Sequence, residues 1–173
     1  MRIIAGSLQG RIISSPKVSS THPMAEKIRG SLFATLGDIS NLDLIDAYSG
    51  SGALALEAAS RGASKIVAIE SNRIASSVIR NNIVQLGLEN QITLVCAKLS
   101  QWMATSNSIF DVILVDPPYL KPNLDEINNL QNLLKPNGIF VLSWPGKQAL
   151  PSINLQLIKN KKFGDAQLCF FAK

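Results

Sequence analysis

The sequence predicts an α/β domain built on a mainly parallel sheet. Three observations carry that reading. Apolar runs such as Leu42 to Tyr48 and Ile109 to Val115 read as strands buried on both faces. Between such runs lie helical patterns, so strand, turn and helix repeat along residues 42–143. Residues able to do chemistry, Asp46, Ser49 to Gly52, Glu70, Ala97, Lys98 and Asp116 to Tyr119, fall where those strands end. In open parallel sheets that is where ligands bind.

The totals fit one domain: 173 residues, 46% hydrophobic, are enough to bury a substantial core. No apolar run approaches the roughly 20 residues of a membrane span, and Met1 to Gly6 lacks the apolar segment of a secretory signal. No membrane association is expected. Cys96 and Cys169 each sit in an apolar, strand-like run and are expected to be buried free thiols in a reducing cytoplasm. With a single histidine, His22, and no metal-ligand spacing, no metal site is expected, and His22 reads as a loop residue rather than a catalyst. Charge is unevenly spread. Residues 1–30 carry a net +4, residues 31–146 a net −3 and residues 147–173 a net +4, which gives +5 overall. A mildly acidic centre between basic ends suggests a small-molecule site flanked by surfaces for a polyanion.

In chain order, Arg2-Ile3-Ile4 and Arg11-Ile12-Ile13 flank a glycine-containing loop and predict a short hairpin. A polar linker from Ser14 to Pro23 follows. Met24, Ile28, Leu32 and Leu36 recur every four residues and predict an amphipathic helix closed by Gly37, with Lys27 and Arg29 off the apolar stripe and free to meet solvent or phosphate. The first strand, Leu42 to Tyr48, leads through Ser49-Gly50-Ser51-Gly52 into an alanine-rich helix, Ala53 to Arg61. Lys65 to Ile69 is the second strand, and Asn72 caps a helix running to about Leu86. Ile92 to Cys96 is the third strand, Lys98 to Ala104 a short helix and Ile109 to Val115 the fourth strand. A helix from Asn123 to Leu134 stops at the turn Lys135-Pro136-Asn137-Gly138, before the fifth strand, Ile139 to Ser143. Asn154 to Ile158 and Ala166 to Ala172 predict a closing antiparallel pair, and Lys159-Asn160-Lys161-Lys162 a solvated turn. Trp102 is expected to pack in its helix, and Trp144 either to cover a pocket or to pack at a strand end.

Gly50-Ser51-Gly52-Ala53-Leu54-Ala55 fits the G-x-G-x-x-A fingerprint of a nucleotide-binding turn, and Glu70, at the end of the next strand, is placed to accept from ribose hydroxyls. Glycines let the backbone approach a ligand, and the helix start favours a negative group. A nicotinamide dinucleotide and S-adenosylmethionine both meet these demands. Asp46, at the mouth of the first strand, separates them, because it repels a pyrophosphate and attracts the ammonium and sulfonium of adenosylmethionine. Tyr48, Ser49 and Ser71 border the same loops and complete the candidate cofactor set.

Asp116-Pro117-Pro118-Tyr119 ends the fourth strand unusually. The prolines remove two N–H donors and hold the backbone stiff and extended. What remains are acceptors, a carboxylate and fixed carbonyls, beside a flat ring. Such a stretch suits a planar group presenting an amine; it also suits a strand end with a capping acid and a packed tyrosine. Beside a methyl-donor site, the first use makes Asp116, Pro117, Pro118 and Tyr119 the candidate catalytic residues.

The chain resembles the RsmD-type methyltransferases nearly end to end. The resemblance rests on Arg2-Ile3-Ile4-Ala5-Gly6 with Gly10-Arg11, the segment Pro23 to Phe33, Asp46 to Arg61, Asp116 to Tyr119, and Phe163-Gly164-Asp165. It implies a Rossmann-like class I S-adenosylmethionine-dependent methyltransferase with a seven-stranded, mainly parallel sheet and helices on both faces. Residues 1–37 would form an RNA-binding hairpin and helix, and residues 38–173 the catalytic core. The implied reaction is methylation of the exocyclic N2 amine of a guanine in 16S ribosomal RNA, free or in an assembling small subunit, by a cytoplasmic monomer. Arg2, Arg11, Lys27 and Arg29 would contact phosphates, and Tyr119 would stack on the extruded base. Four positions depart from the family pattern. His22-Pro23-Met24 stands for Arg-Pro-Thr, and Gly30 for Glu. Ala97 and Lys98 stand where an Asp or Asn contacts the adenine amine, and Ser143-Trp144-Pro145 replaces a Glu after the fifth strand. A DNA adenine or cytosine amine methyltransferase, a NAD-dependent oxidoreductase and a non-catalytic RNA-binding remnant are the competing readings.

Overall fold

A computed structural model describes residues 1–17, 24–120 and 122–173. His22 and Pro23 lie outside the described residues, as does the part of the expected linker from residue 18 onward. Strands β1 (Asp43–Asp46), β2 (Lys65–Ile69), β3 (Ile92–Val95), β4 (Phe110–Val115), β5 (Leu134–Pro145), β6 (Gln156–Phe163) and β7 (Ala166–Ala172) form one sheet. Its order is β3-β2-β1-β4-β5-β7-β6. The strands from β3 through β5 are mutually parallel, and β7 joins β5 and β6 antiparallel. Strand order reverses beside β1, leaving a crevice where β1 and β4 end.

Both sheet faces are apolar because successive residues point opposite ways. Leu44, Ile66, Ala68, Val112, Leu114 and Val141 face one core, with α1 (Glu26–Leu36), α2 (Ala53–Ser60) and α3 (Arg73–Leu86). Ile45, Ile69, Ile113, Val115, Phe140 and Leu142 face the other, with α4 (Leu99–Met103) and α5 (Leu124–Leu130). Asn72 caps α3 as expected, its Oδ1 accepting from Ile74 N at 2.9 Å and Ala75 N at 3.0 Å.

The expected N-terminal hairpin forms, as one antiparallel bridge, Arg2 with Ile12, with Ile3 N donating to Arg11 O at 3.0 Å, Gly10 N to Ile3 O at 2.9 Å and Ile13 N to Met1 O at 2.9 Å. Polar contacts anchor it to α2. Glu57, fully buried, accepts from Ile4 N at 2.8 Å and Ala5 N at 3.1 Å. Ser60 Oγ donates to Ala5 O at 2.6 Å, and Ser7 N donates to Ser60 O at 2.7 Å. Gly6 is required here, since its φ is +88° and a Cβ would run into the Ser60 carbonyl.

Arg29 corrects the expectation of a solvent-facing phosphate contact. Only 1% exposed, it lies 3.6 Å from Glu57 through Nε and donates to Arg2 O at 2.6 Å and Met24 O at 3.3 Å. Its counter-charge is on α2, so α1's own periodicity gave no sign of it.

Three other expectations change. Lys159 to Lys162 belong to β6, where Lys161 Nζ donates to Ser31 Oγ at 2.9 Å and Thr35 Oγ1 at 3.0 Å on α1. The turn at Lys135 to Gly138 is a bulge inside β5: Phe110 pairs with Leu134 and Val112 with Ile139, so four residues loop out, with Asn137 at φ 64°. Cys96 is exposed and only Cys169 is buried; both are free. Trp102 packs near Phe110, ring centroids 6.3 Å apart, and Trp144 is a packed strand end, its Nε1 donating to Ala149 O at 3.0 Å. Among the described residues no helix is long and apolar enough to cross a membrane.

Candidate active site

A cleft of about 1110 Å³ opens beyond the carboxyl ends of β1 to β5. Its lining unites most of the candidates from the sequence: Tyr48, Ser49 and Gly50 after β1, Glu70 and Ser71 after β2, Ala97 and Lys98 after β3, and Asp116 to Tyr119 after β4. Asp46 and Gly52 lie beneath that surface. Gly52 has a φ of +77°, and a Cβ there would sit 3.1 Å from Ile79 of α3, so close packing rather than open approach explains this glycine.

Asp46 is fully buried and does not reach the cleft surface as the sequence suggested. Its Oδ2 accepts from Ala55 N in the first turn of α2 at 3.2 Å, while Oδ1 is buried without a partner. Burial pushes its carboxyl up to about 7, and the neighbouring Asp116 and Glu70 carboxylates push the same way. Glu70 shapes the loop from the other side, accepting from Gly50 N at 2.8 Å and Asn72 N at 2.6 Å.

Asp116 ends β4 where the sheet gives out. Burial pushes its carboxyl up to about 6, leaving it mostly ionised at neutral pH and able to take a proton. The stiff path through Pro117 and Pro118 carries Tyr119 back to β5, where its hydroxyl lies 2.7 Å from Ser143 Oγ. The ring remains 37% exposed at the rim.

Two wall residues escaped the sequence reading. Glu126 of α5 accepts from Tyr48 Oη at 2.7 Å and from Ser100 N at 2.8 Å. Burial, then the Glu126 contact, raises the Tyr48 hydroxyl's pKa. Ser143 was noted only as a departure from the family pattern. The sheet order gives its meaning, since Val115 pairs with Leu142, which sets Ser143, still within β5, beside Asp116, the first residue beyond β4.

Of the proposed phosphate contacts, Arg2, Arg11 and Lys27 are exposed, outside the cleft. Arg2 is paired with Glu26 at 3.1 Å. Met24, Ala25 and Ile28 form part of the cleft wall, which puts Lys27 beside its rim.

The strand order, the glycine turn after β1, the acid after β2 and the crevice between β1 and β4 define a class I methyltransferase fold of the Rossmann-like type. The family described as "Conserved hypothetical protein 95" matches residues 1–172, and the chain belongs to it: an RsmD-type protein. The ribosomal RNA small subunit methyltransferase D of Buchnera aphidicola subsp. Acyrthosiphon pisum is 30% identical, over 97% of this chain and 90% of that protein. The protein of that name from Escherichia coli K12 is 32% identical over 87% of this chain and 72% of its own length. A solved structure, the putative methyltransferase yhhF from Escherichia coli, superposes with a TM-score of 0.89 at 27% identity, covering 100% of this chain and 97% of that one.

Proposed function

We propose that the chain methylates the exocyclic N2 amine of a guanine in 16S ribosomal RNA, free or within an assembling small subunit, using S-adenosylmethionine. The observation that carries this reading is the meeting in one cleft of the Asp116 to Tyr119 stretch with the Gly50 and Glu70 loops. The relatives named ribosomal RNA small subunit methyltransferase D support the RNA acceptor.

The residues present fit adenosylmethionine. Glu70 suits ribose hydroxyls, the Gly50 loop presents backbone at the cleft, and the orphaned Asp46 Oδ1 lies in a carboxyl that burial raises to about 7, whose charged form a cationic ligand in front of the loop would favour. Tyr48, Ser49, Ser71, Ala97 and Lys98 complete the wall. When bound, adenosylmethionine supplies an electrophilic methyl group on a sulfonium.

The chain's own residues prepare the acceptor. A guanine amine is a poor nucleophile because its lone pair is delocalised into the ring. Asp116 and the Pro117 carbonyl accept its hydrogens, which favours a pyramidal nitrogen with the lone pair turned outward. Tyr119 stacks on the base, which must leave its helix at a cost of a few kcal/mol. Orientation of this kind is worth roughly 7–11 kcal/mol in well-aligned reactions. Asp116, with its pKa pushed up to about 6, takes the proton that the alkylated amine sheds. Residues 1–37 act as the RNA-binding extension, with Arg2, Arg11 and Lys27 on phosphates, so binding weakens with salt.

Incubating the protein with unmodified 16S ribosomal RNA, duplex DNA and labelled adenosylmethionine, then mapping the product, tests the proposal. N2-methylguanine at one RNA position is the expected result. Label in DNA favours the DNA amine methyltransferase reading, and RNA binding without any transfer favours the non-catalytic remnant.

A further inference from the structure

We propose that the seam between α1 and β6 is a phosphate-binding track, on which Lys27, Lys161 and Lys159 hold the backbone of the RNA strand leading away from the target base. This rests on the RNA acceptor proposed above, and it extends the RNA surface from residues 1–37 onto the C-terminal hairpin.

β6 is the edge strand of the sheet, antiparallel to β7. Lys159 lies opposite Phe170 and Lys161 opposite Leu168. Residues directly opposite in an antiparallel pair share a face, and Leu168 and Phe170 belong to the core beneath α1. The two lysines therefore stand on the α1 side, where the apolar core gives way to charge at its edge. Lys161 shows the contact directly. Its Nζ donates to Ser31 Oγ at 2.9 Å and to Thr35 Oγ1 at 3.0 Å, while Thr35 donates its own proton to Ser31 O at 2.8 Å. An ammonium has three donors, so one remains after the two hydroxyls. Among the described residues no carboxylate pairs with Lys27, Lys159 or Lys161. The acids next to the seam in sequence are engaged elsewhere, Glu26 with Arg2 at 3.1 Å and Asp165 with Lys147 at 3.3 Å.

Both elements lead to the cleft. Ala25 and Ile28, at the start of α1, line it, as does Ala166, which pairs with Phe163 at the end of β6. From there Lys27, Ser31 and Thr35 follow one stripe of α1 at about 6 Å a step. Lys161 and Lys159 follow β6 from Phe163 at about 7 Å a step. The cations run outward from the cleft rim in the order Lys27, Lys161, Lys159. Such a row fits a polyanion rather than a single small anion.

Lysines on an edge strand also discourage edge-to-edge pairing. Lys162 meets that need equally from the other face of β6, opposite Gln167, so it separates the two roles.

Lys159→Gln, Lys161→Gln, the double variant and Lys162→Gln test the track. The readout is affinity for unmodified 16S ribosomal RNA, measured by filter binding across a salt series without adenosylmethionine. Lys159→Gln and Lys161→Gln each lower the slope of log affinity against log salt by about 0.7–0.9, and the double variant lowers it by about twice as much. Lys162→Gln keeps the wild-type slope. The KM for RNA in methyl transfer rises in step with the lost affinity. A slope unmoved in the double variant, or lowered as much by Lys162→Gln, overturns the proposal. Should Lys161→Gln lose its hold on α1 and fail to fold, the exposed Lys159 decides through its own variant. If the wild-type protein binds RNA but transfers no methyl group, the function proposed above fails while the slopes still decide the track. If it does not bind RNA, the track fails as well.

Discussion

Glu57 of α2 and Asp116 after β4 are both carboxylates withdrawn from water, in opposite company. Glu57 accepts from two backbone amides of the N-terminal segment and from Arg61 Nε at 2.8 Å, with Arg29 at 3.6 Å. Asp116 faces like charge from Asp46 and pairs with no cation among the described residues. The first arrangement satisfies its charge and welds residues 1–13 and α1 onto α2. The second leaves a carboxylate near its ionisation point at the bottom of an open cleft. Charge neutralised inside the protein holds structure, and charge left short of partners is available to a ligand.

The contrast breaks most visibly at Glu57. Glu57→Gln leaves Arg29 buried without its counter-charge and is expected to cost about 3–5 kcal/mol in urea denaturation. A loss near zero would mean that the anchor holds nothing. Gly6→Ala attacks the same weld from the other side: strain at φ +88° plus the clash with Ser60 is expected to cost about 2–3 kcal/mol.

At the cleft the sign of the pH effect is reversed from that of an ordinary paired carboxylate. The folded pKa of Asp116 is about 6 against 3.8 in the free side chain, so between those values the folded state holds the extra proton. Its contribution to stability therefore falls as pH rises from about 4 to about 6. Asp46 acts likewise up to about 7. Denaturation of wild type and Asp116→Asn across that window should give the shallower decline for the variant; parallel curves would show that Asp116 is not held in this way. The smallest effect belongs to Gly30, in the middle of α1, where a Cβ would meet Ile4 at an ordinary 3.7 Å. Gly30→Ala is expected to add about 0.5–1 kcal/mol in the same assay.

The same contrast marks what could be read in the sequence. Strands β2 and β7 coincide with the apolar runs that predicted them, and the loop, acid and D-P-P-Y motifs could be placed because local pattern puts them at strand ends. What escaped depends on partners distant in the chain. Arg29 reads as solvent-facing until Glu57, 28 positions later, is packed against it. Ser143 reads as a missing Glu until β5 is laid beside β4. Asp46 reads as a cleft residue because its position on the strand is legible and its depth beneath the loop is not. The lysines of β6 carry no strand signal of their own; pairing with β7 makes the strand.

Methyl transfer by Asp116→Asn, compared with Glu57→Gln at a temperature where both variants are folded, tests the division most directly. The account predicts wild-type or greater stability for Asp116→Asn above pH 6, with transfer to ribosomal RNA lowered about 100-fold or more. For Glu57→Gln it predicts lost stability, with transfer per folded molecule largely kept. Wild-type transfer by Asp116→Asn, or a loss that follows its stability alone, would contradict it.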